Sequence, residues 1–433
     1  MGLFNLLENT VMIGVFGQTY DISLDWIGNL VKGLIDGVGV VGIGIILFSL
    51  ILKAIVLPFD VYQRINMRKQ NIKMKENQKR MEKLQKQYAN DKDAYQRKLM
   101  EMYKESGISV MSSCLPMILS MVVFISAIGA FNAYSQYSSV ENYNVMVGAY
   151  NQKIESVMTE IGDAGVNVTE EDGQYTIVID SIAASNHEEL KAVLDNLSME
   201  GYNSLEEAQD AAVSNYIISK AQDAVVVAYE TEVKDSVSFL WIKNIWATDA
   251  TYKHPVLTYG DFKAEAEREK FIVGDETKSF ADVINAAGSG ISPYDELAYN
   301  RITAKLSTQK EAPNGYYILI LLSIGTILLQ QFVSMRSQKE QQKFSSVDGQ
   351  GASKQKTTMV VMTAMFAIFS FMYSAAFSIY MIMSNILSLI STLIINKIVD
   401  VVAEKREAQA LQNQYNKRFP GRTANTKKDE KRK

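Results

Sequence analysis

One long uncharged stretch decides the fold class of this chain of 433 residues. Residues 357–396 read TTMVVMTAMFAIFSFMYSAAFSIYMIMSNILSLISTLIIN and contain no Asp, Glu, Lys or Arg. A helix needs about 20 apolar residues to cross the hydrocarbon core of a bilayer, and this stretch is about twice that long. The small residues Ser374-Ala375-Ala376 interrupt it near its middle. The stretch therefore predicts two membrane-spanning helices joined by a tight hairpin.

Three earlier stretches have a similar character. Residues 109–132 and 316–334 carry no charge, and residues 38–57 are apolar except for Lys53. No soluble fold needs uncharged blocks of this length, so a purely soluble protein is excluded. We therefore expect an all-α polytopic membrane protein with five transmembrane helices, at residues 38–57, 109–132, 316–334, 357–373 and 377–396.

The charge of the chain is partitioned between these stretches. Residues 58–108 have a net charge of +6, residues 335–356 of +3 and residues 397–433 of +6, whereas residues 133–315 carry −17. Short loops rich in Lys and Arg stay in the cytoplasm. We therefore expect the N-terminus (residues 1–37) and the acidic domain (residues 133–315) outside, and the C-terminus in the cytoplasm.

The external segments are expected to be mostly helical. Apolar residues recur at helical spacing between Tyr20 and Asp36, which predicts an amphipathic helix. This helix either lies on the outer membrane surface or packs on the external domain, and the sequence leaves both open. In the acidic domain, residues 187–197 and 205–229 show helical patterns and residues 175–180 resemble a strand.

Residues 58–108 predict a basic helical hairpin in the cytoplasm. Residues 59–88 contain no Pro or Gly, Asn90-Asp91 offers a turn and a cap, and residues 93–105 predict a second helix. A thin apolar stripe would let the two helices pack together. The hairpin is a solvated coiled-coil spacer, or a basic surface that holds the anionic inner leaflet, or a mobile arm that meets a partner or an incoming substrate chain.

Lys53 is the most informative single residue. A cation inside a membrane span is costly unless it meets water or a partner, so it marks a functional cavity or extends toward the nearer surface. None of the other four spans contains an acidic residue, but the spans carry many hydroxyl and amide groups. We therefore favour a hydrophilic groove that hydrates Lys53 without a counter-ion over extension toward the cytoplasm.

Four motifs in order along the chain resemble those of the YidC/Oxa/Alb family of membrane protein insertases. Lys53 and Pro58 resemble the family's Arg-x-x-x-x-Pro, with lysine in the arginine position. Residues 102–107 (MYKESG) and 114–116 (CLP) resemble its entry to the second span. Residues 239–245 (FLWIKNI) with Asp249 resemble its external Phe-Leu-Trp motif, and residues 374–385 (SAAFSIYMIMSN) resemble its last hairpin.

The resemblance implies a bacterial plasma-membrane insertase with five helices around a hydrophilic groove. It implies that the protein inserts and helps to fold nascent membrane proteins, without the Sec translocon or beside it. Lys53 would attract an acidic segment of the substrate. The remaining groove or slide positions implied are Ser49, Ser120, Tyr380 and Met381. The external domain is larger than usual, which we interpret as two insertions at residues 135–237 and 250–312.

Partners and cofactors follow from the same considerations. The implied partners are nascent membrane-protein chains, the lipid bilayer and the ribosome, which the basic tail would bind. The alternative for the tail is a disordered end that only keeps the protein soluble. No DNA partner, enzymatic activity, cofactor or metal is expected, since one Cys and two His leave little for a His/Cys site. The competing hypotheses are a small-solute transporter or channel, and a receptor acting through its acidic external domain.

Overall fold

A computed structural model describes residues 15–107, 111–163, 166–171, 174–179, 187–285, 292–337 and 351–418. Within these ranges the chain is mostly helical. The helices are α1 Trp26–Val38, α2 Val41–Glu76, α3 Gln78–Gln87, α4 Lys92–Glu105, α5 Met111–Asp163, α6 Glu188–Asp195, α7 Leu205–Ala228, α8 Lys234–Val237, α9 Tyr259–Ala266, α10 Phe280–Asn285, α11 Glu296–Ile302, α12 Ser307–Glu311, α13 Ile318–Ser337, α14 Gly351–Met372 and α15 Ala375–Arg418.

Two antiparallel strand pairs complete the described elements. Strand β1 (Val166–Glu171) pairs with β2 (Gln174–Ile179) in a register that joins Val166 to Ile179. Strand β3 (Phe271–Val273) pairs with β4 (Glu276–Lys278) around Gly274, whose φ of 64° suits a tight turn. The strand predicted at residues 175–180 is therefore present, whereas β1, β3 and β4 were not predicted.

The chain divides into two compact units. The first consists of Met1–Ile45, Ile128–Leu319 and Phe371–Phe377, and the second of Ile46–Ala127, Ile320–Ser370 and Ser378–Lys433. The first unit holds the acidic domain and the second holds most of the apolar helices.

Two described helices are long and apolar enough to span a membrane, over Val41–Gln63 and Ala375–Ile398. Two shorter apolar segments, Ile318–Ser334 and Thr363–Met372, lie in α13 and α14. Such helices in a mostly helical chain give an all-α membrane protein.

Several helices run past the ends of the predicted spans. Pro58 was expected to end the first span, but α2 continues through it to Glu76. Helix α5 continues from the second predicted span to Asp163, and α15 continues into the basic tail to Arg418. In contrast, the break between the last two spans is as short as predicted, because α14 ends at Met372 and α15 begins at Ala375.

The first unit has an aromatic core. Tyr143 of α5 packs against Phe262 of α9, with ring centroids 4.8 Å apart, and against Tyr299 of α11 at 4.9 Å. The Tyr143 hydroxyl donates to the carbonyl of Pro293 at 2.5 Å, which satisfies its polar end inside the core. This core joins α9 and α11 to α5.

The amphipathic helix α1 packs on this unit. Asp25 caps its N-terminus by accepting from the amide of Gly28 at 2.6 Å, and Gly39 ends it with a φ of 73°. Its Val31 is buried, and Lys32 donates to the Tyr137 hydroxyl at 2.6 Å. The opposite face remains exposed and mixes the apolar Trp26 with the polar Asn29 and Asp36. One face of α1 therefore packs on the first unit.

In the second unit, α3 and α4 form the predicted hairpin. Asp91 caps α4 by accepting from the amide of Ala94 at 2.9 Å. The apolar stripe forms a small core of Met81, Tyr95, Leu99 and Met102, with Leu84, Tyr88 and Tyr103 against it. The hairpin is thus held by one thin seam of apolar contacts.

Candidate functional site

The candidate site is centred on Lys53, in the apolar part of α2. Its Nζ donates to Asp60 Oδ2 at 2.5 Å and to Ser388 Oγ of α15 at 2.9 Å. The side chains of Lys53 and Asp60 are only 13% and 20% exposed. Lys53 therefore forms an ion pair within α2 and joins α2 to α15 through a hydroxyl group, in surroundings that are largely removed from solvent.

Asp60 contradicts the expectation that Lys53 has no counter-ion. Because α2 continues through Pro58, residues 53 and 60 lie two turns apart on one face of the same helix. Lys53 therefore extends toward the end of α2 that the charge pattern assigns to the cytoplasm, as in the alternative that we favoured less. It also meets a hydroxyl group from another span, as the groove hypothesis expects.

The other predicted site residues are placed as follows. Ser49 lies one turn before Lys53 and is buried, and Tyr380 and Met381 are buried near the start of α15. Ser120 lies on α5, but its side chain is outside the described residues. The residues that contact Lys53 are Asp60 and Ser388, which were not among the predicted site residues.

Further polar contacts join α13 to the two helices that follow it. Ser323 lies 3.0 Å from Ser370, Gln331 accepts from Thr363 at 2.9 Å, and Asn385 donates to Thr326 at 3.4 Å. Small hydroxyl and amide groups that bond across helices are typical of packed membrane helices. The spans therefore carry polar groups at several levels in addition to Lys53.

In the first unit, residues 237–249 form a motif loop that contains the Phe-Leu-Trp residues. Phe239 and Ile242 exchange both backbone hydrogen bonds at 3.0 Å. Leu240 at the tip has a φ of 56° and is 71% exposed. A Cβ atom on Gly42 would lie 2.2 Å from the Phe239 ring, so only glycine lets the first turn of α2 lie this close to the loop.

Asp249 in the motif loop binds the start of α13. Its Oδ1 accepts from the amides of Tyr316 and Tyr317 at 2.7 and 3.1 Å, and its Oδ2 accepts from Leu319 at 2.6 Å. The carboxylate is fully buried. Since the first amides of a helix lack partners within it, the Asp249 carboxylate supplies acceptors at the start of α13, including one for the buried amide of Leu319.

The motif loop also binds the start of α15. The amides of Ala375 and Ala376 donate to the carbonyls of Ala247 and Ile245 at 2.8 and 2.9 Å. Asn314 ties the loop to the chain that leads into α13, since its Nδ2 donates to the carbonyls of Asn244 and Thr248. The loop therefore fixes the first turns of three apolar helices, α2, α13 and α15.

A cavity of about 360 Å³ lies next to the loop, and its walls include Trp246, Lys253, Glu265 and Arg268. Within the described residues, Trp246 Nε1 and Glu265 Oε2 are buried without a hydrogen-bond partner. Burial is the main cause that raises the pKa of Glu265, and Asp261 adds to the rise, whereas a hydrogen bond from Ser139 and the charges of Arg268 and Lys253 oppose it. Together these effects place the pKa at about 7. Glu265 therefore titrates near neutral pH.

A mostly helical chain with apolar helices long enough to cross a bilayer is an integral membrane protein. The family model described as the 60Kd inner membrane protein matches residues 34–163 and 224–404. This match covers more than half of the chain, and the protein belongs to that family. The unmatched residues 164–223 lie within the first expected insertion.

Curated relatives carry a more specific name. The Membrane protein insertase YidC of Francisella tularensis subsp. novicida is 34% identical over 120 residues, which are 28% of this chain and 20% of the relative. The Membrane protein insertase YidC of Francisella philomiragia subsp. philomiragia shows the same identity and coverage. The chain thus aligns with about a fifth of the length of these relatives. No solved structure matches it.

Proposed function

We propose that this protein inserts other proteins into a bacterial plasma membrane and helps them to fold there. The observation that carries the proposal is Lys53, a cation held between two apolar helices of a protein in the 60Kd inner membrane protein family. Relatives named Membrane protein insertase support the same activity. The proposal needs no enzymatic step.

In this proposal five spans surround a hydrophilic groove that contains Lys53. A polar, often acidic, segment of a substrate enters the groove from the cytoplasm and is attracted by the Lys53 ammonium group. Since the groove provides hydroxyl groups and water, the segment is not fully dehydrated on its way outward. The apolar part of the substrate then partitions into lipid, which supplies the driving free energy.

The remaining predicted residues take roles around that path. Ser49 and Ser120 line the groove, and Tyr380 and Met381 form a slide for the apolar segment. The hairpin of α3 and α4 recruits the nascent chain, and the basic tail binds ribosomal RNA or anionic lipid. The N-terminus and acidic domain lie outside, and the protein acts with or without the Sec translocon.

The motif loop supports a groove that is closed on its outer side. It holds the first turns of α2, α13 and α15, which the charge pattern assigns to the external surface. Because the outer ends of these three helices are held in place, the cytoplasmic halves of the helices would separate to admit a substrate.

The test is insertion of a single-span substrate with an acidic N-terminal tail into proteoliposomes that contain only this protein. Protease protection of the tail measures translocation. We expect the native protein and Lys53→Arg to insert the substrate, and Lys53→Ala and a deletion of residues 66–103 to insert it poorly. Solute flux through vesicles without substrate would instead indicate a transporter. No insertion, where a known insertase succeeds, would favour a receptor.

A further inference from the structure

The partner of Lys53, Asp60, occupies a distinctive position in the sequence. Asp60 is the only acidic residue between Asp36 and Glu76, in a region rich in Lys and Arg. Seven residues separate Lys53 from Asp60, which corresponds to about two helical turns and a rise of about 10 Å. An extended lysine side chain covers most of this distance, and its Nζ reaches Asp60 Oδ2 at 2.5 Å.

The ion pair changes the charge that a substrate meets. Lysine has three N–H donors, of which one binds Asp60 and another binds Ser388. The pair has no net charge, whereas Lys53 alone would present a full positive charge. A second carboxyl group joining the pair would place two carboxylates beside one ammonium group, which is unfavourable away from bulk water.

We propose that Asp60 is a specificity-determining residue that occupies Lys53 when no substrate is bound and is exchanged for an acidic residue of the incoming segment. The inference rests on the proposed insertase function. An exchange of one carboxylate for another gains little free energy, so the native groove prefers acidic over neutral segments only weakly. Asp60 thereby broadens the range of segments that the groove accepts.

The position of Asp60 suits such an exchange. It lies two residues after Pro58, which lacks an amide proton and so leaves one helical hydrogen bond unmade. A helix bends readily at such a point, so that Asp60 can turn away from Lys53. Its side chain is 20% exposed, so water has access to the carboxylate when it leaves the pair.

The experiment uses two substrates that differ only in whether their N-terminal tail carries Asp or Asn. Each is inserted into proteoliposomes that contain the full chain, and the ratio of acidic to neutral insertion is measured. The proteins are the native chain, Asp60→Asn, Lys53→Ala and the double variant. Asp60→Glu is the matched control because it retains the charge. Thermal unfolding in detergent checks that each variant is folded.

We expect a native ratio below about three and a rise of roughly tenfold or more in Asp60→Asn, because the attraction of one unpaired charge about 4 Å away corresponds to roughly fivefold in bulk water and to more inside a protein. Asp60→Glu should keep the native ratio. Lys53→Ala should insert the acidic substrate more poorly than the double variant, because the unpaired Asp60 then repels it. Removing Asp60 should thus partly rescue the loss of Lys53.

Three results would overturn the inference in different ways. If the native protein inserted the acidic substrate about ten or more times better than the neutral one, Asp60 would not compete with the substrate. This measurement uses only the native protein and so does not depend on whether a variant folds. An unchanged ratio in Asp60→Asn, together with weak insertion by Lys53→Ala, would retain the insertase function and remove the role of Asp60. Full insertion by Lys53→Ala would refute the hypothesis that a charged groove attracts the substrate.

Discussion

The buried carboxylate of Asp249 gives the sharpest stability prediction. Asp249→Ala removes three hydrogen bonds to a charged acceptor, from the amides of Tyr316, Tyr317 and Leu319, although the amide of Tyr317 keeps its bond to the backbone carbonyl of residue 249 at 3.2 Å. Each such bond contributes at least about 1.5 kcal/mol. We therefore expect the variant to lose about 4–5 kcal/mol of the free energy of unfolding of the first unit.

The assay is thermal unfolding of the full chain in detergent, followed by tryptophan fluorescence, since Trp241 and Trp246 lie within the motif loop. At about 2–4 °C per kcal/mol for a unit of this size, Tm should fall by about 10 °C or more. In Asp249→Asn, Tm should fall by about half as much. The side-chain oxygen still accepts two hydrogen bonds, but the new NH₂ group faces the amide of Leu319, so that a donor meets a donor.

Asp235→Ala is the matched control, because it removes an exposed aspartate of the same unit. Its Tm should stay within about 2 °C of the native value, as is usual for exposed sites. If Asp249→Ala also stayed within that margin, the motif loop would not hold the start of α13 as the hydrogen bonds indicate.

Three further predictions concern other parts of the chain. Gly42→Ala should destabilise the protein, since the new Cβ would lie 2.2 Å from the Phe239 ring. Gly129 has open space around it, so Gly129→Ala should stabilise the protein by about 0.5–1 kcal/mol. Denaturant unfolding measures both changes. Met81→Ala should cost the hairpin about 2–5 kcal/mol and raise hydrogen exchange in α3 and α4 while the first unit stays protected. The raised pKa of Glu265 means that the folded state favours the protonated carboxyl group, so the native Tm should fall as pH rises from about 4.5 to 7. The Tm of Glu265→Gln, which cannot ionise at this position, should fall less over the same pH range.

Much of the helical fold was predictable because the patterns that encode it are local. Charge-free runs, helical spacing and the cap at Asp91 identified most elements. The short strands β3 and β4 were missed because three residues carry too little periodicity to be recognised. Pro58 was given too much weight as a boundary, since packing can hold a helix together through a proline.

The site was predictable only in part, for a related reason. Lys53 is conspicuous in the sequence, but its partner Asp60 was counted with the basic hairpin because the first span was expected to end at Pro58. Ser388 is one of many hydroxyl residues in the spans, and only the packing of α15 shows which one reaches Lys53. The bonds from the motif loop to Ala375 and Ala376 join backbone atoms, and such contacts cannot be inferred from residue type.

The hydrogen bonds at Asn314 have a consequence for how the external domain is attached. The amide of Asn314 donates to the carbonyl of Lys253 at 2.8 Å, so residues 254–313 leave the motif loop and return to it at neighbouring points. Chain can be added at the surface of such a segment while its two ends stay together, provided that Phe262 and Tyr299 remain packed on Tyr143 of α5. The same closed attachment makes it a place where a reporter domain could be inserted without separating the points at which the segment leaves and returns.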